Sequence, residues 1–185
     1  MITVKNRLEL FTWMPMNGVV AEVGVALGKL SHEILKHTEP SRLYLVDIWD
    51  RCPNASSKPG RESDMRSSRT QLARYLHVCG LYSYNPRVSI IRADSLQVAE
   101  LVFIDEMFDW VYIDSNHFYE HACKELAAYW PTIKPGGWLC GHDYVDTKWS
   151  GVKRAVDELL EAQGLEMGLL TRGRSPSFAI QKPKE

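Results

Sequence analysis

The sequence predicts an α/β fold, a doubly wound and mostly parallel sheet with helices on both faces. Three observations carry this expectation. Short apolar runs of strand character alternate with segments of helical periodicity, the pattern of parallel strands joined by crossover helices. Acidic residues stand at or just past successive strand ends, at Glu22, Asp47, Asp94, Asp114 and Asp143. The first strand runs into a glycine turn, Gly24 to Gly28, that opens directly into a helical pattern.

Each element follows from its own pattern. Val4 to Met14 places Val4, Leu8, Leu10, Phe11 and Met14 on an approximate helical face, ended by Pro15 and Gly18. Val19 to Val23 reads as a short buried strand, and Lys29 to His37 as a helix with Leu30, Ile34 and Leu35 on one side. Leu43 to Ile48 is a second strand. Residues 51–69 are rich in Ser, Arg and Pro with almost nothing apolar, and a stretch of that length reads as a mobile loop or lid. Its Arg61, Arg66 and Arg69 suit an anionic group on a substrate or simple solvation, which the composition favours.

Thr70 to Leu81 resumes a helix, and Val88 to Ala93 is a third strand. Phe108 to Asp114 is a fourth strand, Tyr119 to Trp130 a helix, Lys134 to Gly137 a turn and Trp138 to Gly141 a fifth strand. Gly151 to Gln163 puts Val152, Ala155, Val156, Leu159 and Leu160 on one helical face. Glu166 to Leu170 and Ser177 to Gln181 read as two last strands in a hairpin-like pair. Without repeats or a break in composition, residues 1–185 read as a single domain.

Composition narrows the function classes. The chain is 45% hydrophobic and 24% charged with a formal net charge of -1. So neutral a balance gives no general attraction to nucleic acid or membranes, and neither partner is expected. Cys52, Cys79, Cys123 and Cys140 form no CxxC pair and read as free thiols of a reducing compartment. No apolar run approaches the ~20 residues that span a bilayer, and no signal-peptide core follows the N-terminal basic residues. A cytoplasmic protein is expected. The N-terminal helix and the tail leave a homodimer open, although nothing periodic demands one.

The first loop is G-x-x-x-G, Gly24 to Gly28, and not the G-x-G-x-x-G of a dinucleotide site or a lysine-bearing P-loop. Glu22, two residues ahead, would repel a pyrophosphate and attract a cation. S-adenosylmethionine (SAM) carries an ammonium and a sulfonium and no phosphate, so the loop suits it; a plain strand-turn-helix is the alternative. Asp47 stands roughly 20 residues on, where a carboxylate accepts ribose hydroxyls, or caps a helix. Trp49 either packs on the adenine or belongs to the core. Asp94 and Ser95 either read the adenine amine or cap a helix.

Three segments together resemble the class I SAM-dependent methyltransferases, and more narrowly a group with metal-dependent sugar O-methyltransferases. They are Glu22 to Gly28, Phe108 to Asp114 with His117, and Lys134 to Tyr144. The resemblance runs from about Val19 to about Leu160. It implies a Rossmann-like seven-stranded sheet whose last strand is antiparallel. It further implies that Glu22 and Gly24 face the methionine part of SAM, Asp47 the ribose, and Asp94 with Ser95 the adenine. Gly28 completes the cofactor loop.

Asp114, His142 and Asp143 are expected to converge at the strand ends. Two carboxylates and an imidazole suit Mg²⁺ or another divalent metal such as Mn²⁺ or Fe²⁺, or else a metal-free site. Where relatives of this type carry an acid, the chain has His142, and it has Asn116 where some carry a catalytic acid. His117 or His142 is then the candidate base, because imidazole titrates near neutral pH. The expected activity is methyl transfer to an oxygen of a small-molecule acceptor. An iron-dependent hydroxylase-like relative on the same fold and a non-catalytic SAM-binding module are the alternatives.

Overall fold

The computed structural model describes residues 1–50, 68–145 and 150–184. Within them eight strands form one sheet: β1 (Ile2–Val4), β2 (Val19–Val23), β3 (Arg42–Asp47), β4 (Val88–Arg92), β5 (Phe108–Ile113), β6 (Ile133–Gly141), β7 (Leu169–Thr171) and β8 (Phe178–Gln181). Their order is β1-β7-β8-β6-β5-β2-β3-β4. Every neighbouring pair is parallel except those of β8, which runs antiparallel to β6 and β7. The doubly wound sheet with an antiparallel last strand is therefore present, with β2 to β8 as its seven expected strands.

Six helices are described: α1 (Arg7–Phe11), α2 (Lys29–Thr38), α3 (Ser68–Tyr82), α4 (Ser95–Leu101), α5 (Tyr119–Tyr129) and α6 (Val152–Gln163). They cover both faces. On one, Ala21, Val23, Val111 and Leu139 meet apolar residues of α4, α5 and α6. On the other, Val20, Leu43, Trp110, Tyr112 and Cys140 meet α1, α2 and α3. The alternation of Val20 with Ala21, and of Val111 with Tyr112, is the two-residue period of a strand buried on both sides.

The structure corrects several element assignments. Ile2–Val4 is an edge strand paired with β7, Ile2 opposite Leu169 and Val4 opposite Thr171, and not the start of a helix. The helix begins at Arg7, where the Asn6 side chain accepts a 3.1 Å hydrogen bond from Glu9 N. Three residues are too few to display strand alternation, so Val4 joined the helical periodicity that follows. The expected turn Lys134 to Gly137 lies inside β6, as an irregularity between the pairings Phe108–Ile133 and Trp110–Trp138. Lys134 Nζ there bonds both carboxylate oxygens of Asp109 at 2.9 Å.

Helix α4 adds an element the sequence pattern did not declare. Of the expected 51–69 loop, residues 51–67 lie outside the described residues, while Ser68 and Arg69 already belong to α3. Among the described cysteines, Cys79, Cys123 and Cys140 are free, Cys140 within the core. Cys52 lies outside the described residues. No described helix is long and apolar enough to cross a membrane.

Candidate active site at the strand ends

The glycine loop packs directly on the neighbouring strand end. Gly24 has φ +90°, and a Cβ there would stand 2.2 Å from the Asp114 carbonyl oxygen. Only glycine permits both the left-handed backbone and that approach. Gly28, at φ +72°, precedes α2 and gives its carbonyl to Tyr82 Oη at 2.7 Å. Between them Ala26 is held at φ 52°, a left-handed conformation that costs a non-glycine residue about 1–3 kcal/mol.

Asp47 is what holds the loop. Its Oδ2 accepts from Val25 N and Ala26 N, both at 2.9 Å, and its Oδ1 from Trp49 N at 2.8 Å. A carboxylate has about four lone-pair positions, so one remains, on Oδ1, for a hydroxyl. Trp49 is a correction to the adenine-packing expectation. It is fully buried, its Nε1 donates to Ala26 O at 3.0 Å, and its ring lies 5.3 Å from that of Tyr75. Its left-handed backbone (φ 37°) turns the indole under the loop, so its large apolar surface is spent on the core.

Glu22 is likewise beneath the loop, with no exposed surface. Its Oε2 accepts from Ser31 Oγ at 2.5 Å, whereas Oε1 is buried without a partner. Burial, helped by the charges of Asp114 and Asp47, pushes its pKa up to about 8 against the Ser31 bond and Arg7. The acid is therefore neutral at neutral pH and supports the loop from below, a correction to the expectation that it faces the methionine part of SAM.

Asp94 caps α4: Oδ1 accepts from Leu96 N at 3.0 Å and from Gln97 N at 3.2 Å. Ser95 Oγ turns inward and donates to Glu125 Oε1 at 2.5 Å. Glu125 is a residue that sequence reasoning missed. It is buried in α5, its Oε2 takes the hydroxyl of Ser115, and His121 Nε2 lies 3.2 Å from Oε1. One carboxylate thus ties the turn after β4 to the turn after β5. The signal was an acid on an apolar stripe, since Ala122, Leu126 and Tyr129 at helical spacing are also buried.

Beyond β5 and β6 the expected Asp114, His142 and Asp143 do come together, with the candidate base His117 among them. His117 Nε2 lies 3.3 Å from Asp114 Oδ1, and its Nδ1 lies 3.2 Å from Asp143 Oδ2. His142 Nδ1 lies 3.4 Å from Asp143 Oδ1 and 3.6 Å from Asp114 Oδ1. Asp143 is held at φ 54°. Burial opposes charge at Asp114, but the bonds and charges of His117 and His142 outweigh it and hold its pKa well below the carboxylate range. Burial also opposes a charged His117, and Asp114, Asp143 and Glu125 overcome it, raising the imidazole pKa. Asn116 accepts from Phe118 N at 3.0 Å and so shapes the entry to α5. A small cavity bordered by Ile113, Ser115, His117, His142, Val152 and Phe178 opens beside these groups.

The expected metal site on Asp114, His142 and Asp143 does not fit this arrangement. Among the described residues, no three His, Cys, Asp or Glu side chains are disposed to hold a metal ion. The acids direct their oxygens at the imidazoles, and both nitrogens of His117 face carboxylates. The carboxylates of Asp114 and Asp143 are thus already engaged by the two imidazoles.

Comparisons with known proteins bear on the family and the fold. A family model described as a methyltransferase domain matches residues 21–144, which span the glycine loop, Asp47, Asp94, Asp114 and the His142–Asp143 pair. The chain is similar in fold to N-methyltransferase NodS from Bradyrhizobium japonicum WM9 in complex with S-adenosyl-l-homocysteine, at 16% identity and TM-score 0.62, covering 96% of this chain and 83% of that one. It is similar also to Aeropyrum pernix fibrillarin with natively bound S-adenosyl-L-methionine (16% identity, TM-score 0.61, 90% of this chain and 67% of that one). An O-methyltransferase family protein from Burkholderia thailandensis shares 12% identity at TM-score 0.63, over 94% of this chain and 52% of that one. At such identities these structures speak for the fold alone. Among curated proteins, no sequence matches the chain.

Proposed function

The chain belongs to the methyltransferase-domain family, of the class I SAM-dependent kind, and from that premise we propose that it methylates an oxygen of a small molecule. The observation that carries the oxygen reading is the setting of His142. Its Nδ1 faces Asp114 and Asp143, while among the described residues its Nε2 has no partner and the ring borders the small cavity. A hydroxyl must give up its proton as it attacks, and an imidazole anchored through one nitrogen offers the other as base.

The residues present suit SAM. The loop provides backbone and no phosphate-binding lysine, and Asp47 retains one acceptor position. SAM supplies an electrophilic methyl group, so the reaction is an in-line displacement at that carbon. Asp47 fixes the loop against which the cofactor is positioned, and positioning is the main catalytic resource of such a transfer. His142 Nε2 takes the acceptor proton. His117, held between Asp114 and Asp143, keeps the two acids in place. No step is assigned to a metal. The near-neutral charge of the chain supports a small acceptor over a polyanion.

The test is calorimetric titration with SAM, followed by mass spectrometry of a panel of hydroxyl and amine acceptors. Binding and methylated hydroxyl products are expected. Absence of SAM binding at tens of micromolar protein would sink the whole reading, and products confined to amines would sink its oxygen part.

A further inference from the structure

Arg7 is the first residue of α1, and Leu10 and Phe11, three and four residues on, have no exposed surface. Residues so spaced share one side of a helix, so an arginine stands on the face that α1 turns toward the sheet. Phe11 fixes the helix by packing on Trp110 and Tyr112 of β5, with ring centroids 5.6 Å and 6.2 Å apart. Arg7, one turn earlier, is thereby carried to the end of that strand. Its Nη1 lies 3.8 Å from Asp114 Oδ2, an ion pair too long for a charge-assisted hydrogen bond. The other oxygen of Asp114 is occupied by His117 and His142.

Among the described residues the guanidinium makes no hydrogen bond, which leaves its five donors uncommitted. Its Nη1 lies beside the side chain of Asp114, the residue whose carbonyl presses on Gly24. Between Gly24 and Gly28 the loop is Val25-Ala26-Leu27 and offers no cation. The amino-acid end of SAM carries a carboxylate that needs one, and a planar fork matches a carboxylate with two parallel bonds. We propose that Arg7 binds the methionyl carboxylate of SAM and of its demethylated product, with Asp114 aiming the guanidinium. This rests on the reading of the loop as a SAM site.

Binding of S-adenosylhomocysteine and of 5'-methylthioadenosine, which lacks the amino-acid end, tests the proposal without any acceptor. Arg7→Met keeps the apolar stem, and Arg7→Lys keeps the charge without the fork. Arg7→Met is expected to weaken S-adenosylhomocysteine about tenfold or more and methylthioadenosine by less than about twofold, with Arg7→Lys in between. Unchanged S-adenosylhomocysteine affinity overturns the proposal, and so does an equal loss for both ligands. A variant that binds S-adenosylhomocysteine normally and raises only the acceptor KM assigns Arg7 to the acceptor and likewise overturns it. If the wild-type protein binds neither ligand, the SAM reading fails and takes this proposal with it. Normal wild-type binding with an unaffected Arg7→Met fails this proposal alone.

Discussion

Ser31 Oγ donates a 2.5 Å hydrogen bond to Glu22 Oε2 in the core, directly under the glycine loop. Burial raises the Glu22 pKa from its ordinary 4.5 to about 8. Between those values the folded chain keeps a proton that the unfolded chain has released. Stability attributable to this group is therefore present at low pH and falls as pH rises through the window, at up to about 1.4 kcal/mol per pH unit. Glu22→Gln removes the titration and keeps the shape. Melting temperatures at pH 5, 6.5 and 8 should show the wild type losing ground to the variant as pH rises. Parallel pH dependences would refute the assignment.

Gly24 admits no side chain. A Cβ 2.2 Å from the Asp114 carbonyl, on a backbone at φ +90°, meets main chain that cannot swing away. Gly24→Ala should cost more than about 2 kcal/mol in urea denaturation and abolish SAM binding in any protein that still folds. Wild-type stability in the variant would refute the packing argument.

Glu125 should act on both stability and the cofactor. Glu125→Ala leaves the hydroxyls of Ser95 and Ser115, and His121, without their common acceptor, an expected loss of about 2–4 kcal/mol. Glu125→Gln should retain part of that stability. In both variants SAM affinity should fall, because the turn after β4 loses its tie to the turn after β5. An unchanged Kd with reduced stability would confine Glu125 to the core.

The two histidines should separate kinetically. His142→Asn should lower kcat by about 10²–10⁴, the usual share of a general base, with the SAM Kd unchanged. His117→Asn should lower the Tm as well, since it removes the imidazole that lies between two acids and contacts both. A larger kcat effect from His117 than from His142 would reverse their roles.

Chelation tests the fit of a metal. The carboxylates of Asp114 and Asp143 are directed at imidazoles, so dialysis against EDTA should leave the rate within about twofold of its starting value. A loss restored by Mg²⁺ or Mn²⁺ would show that Asp114, His117, His142 and Asp143 rearrange around an ion.

Much of the fold was legible because local pattern carries it. The apolar runs of β2, β3 and β5, the glycine turn and the amphipathic face of α6 each announce themselves within a few residues. The strand-end acids were legible for a related reason: in a parallel sheet every strand ends on the same side, so Asp47, Asp94 and Asp114 had to share an edge. The sequence alone thus determined the strands β2 to β8, the parallel run of most of them and the edge on which the acids gather, while the resemblance to a known family supplied the antiparallel last strand.

Only the tertiary structure decided what those residues touch. Edge strand β1 exists through pairing with β7, more than 160 residues away, and a contact of that range leaves no periodicity in three residues. Whether Trp49 meets a ligand or the core, whether Glu22 is charged, and whether Asp114 faces a metal or two imidazoles all depend on burial and distance. These quantities arise when α1, α5 and the strand ends pack together. Residue types set which groups can ionise or bond, but the field and the partners around each belong to the folded chain.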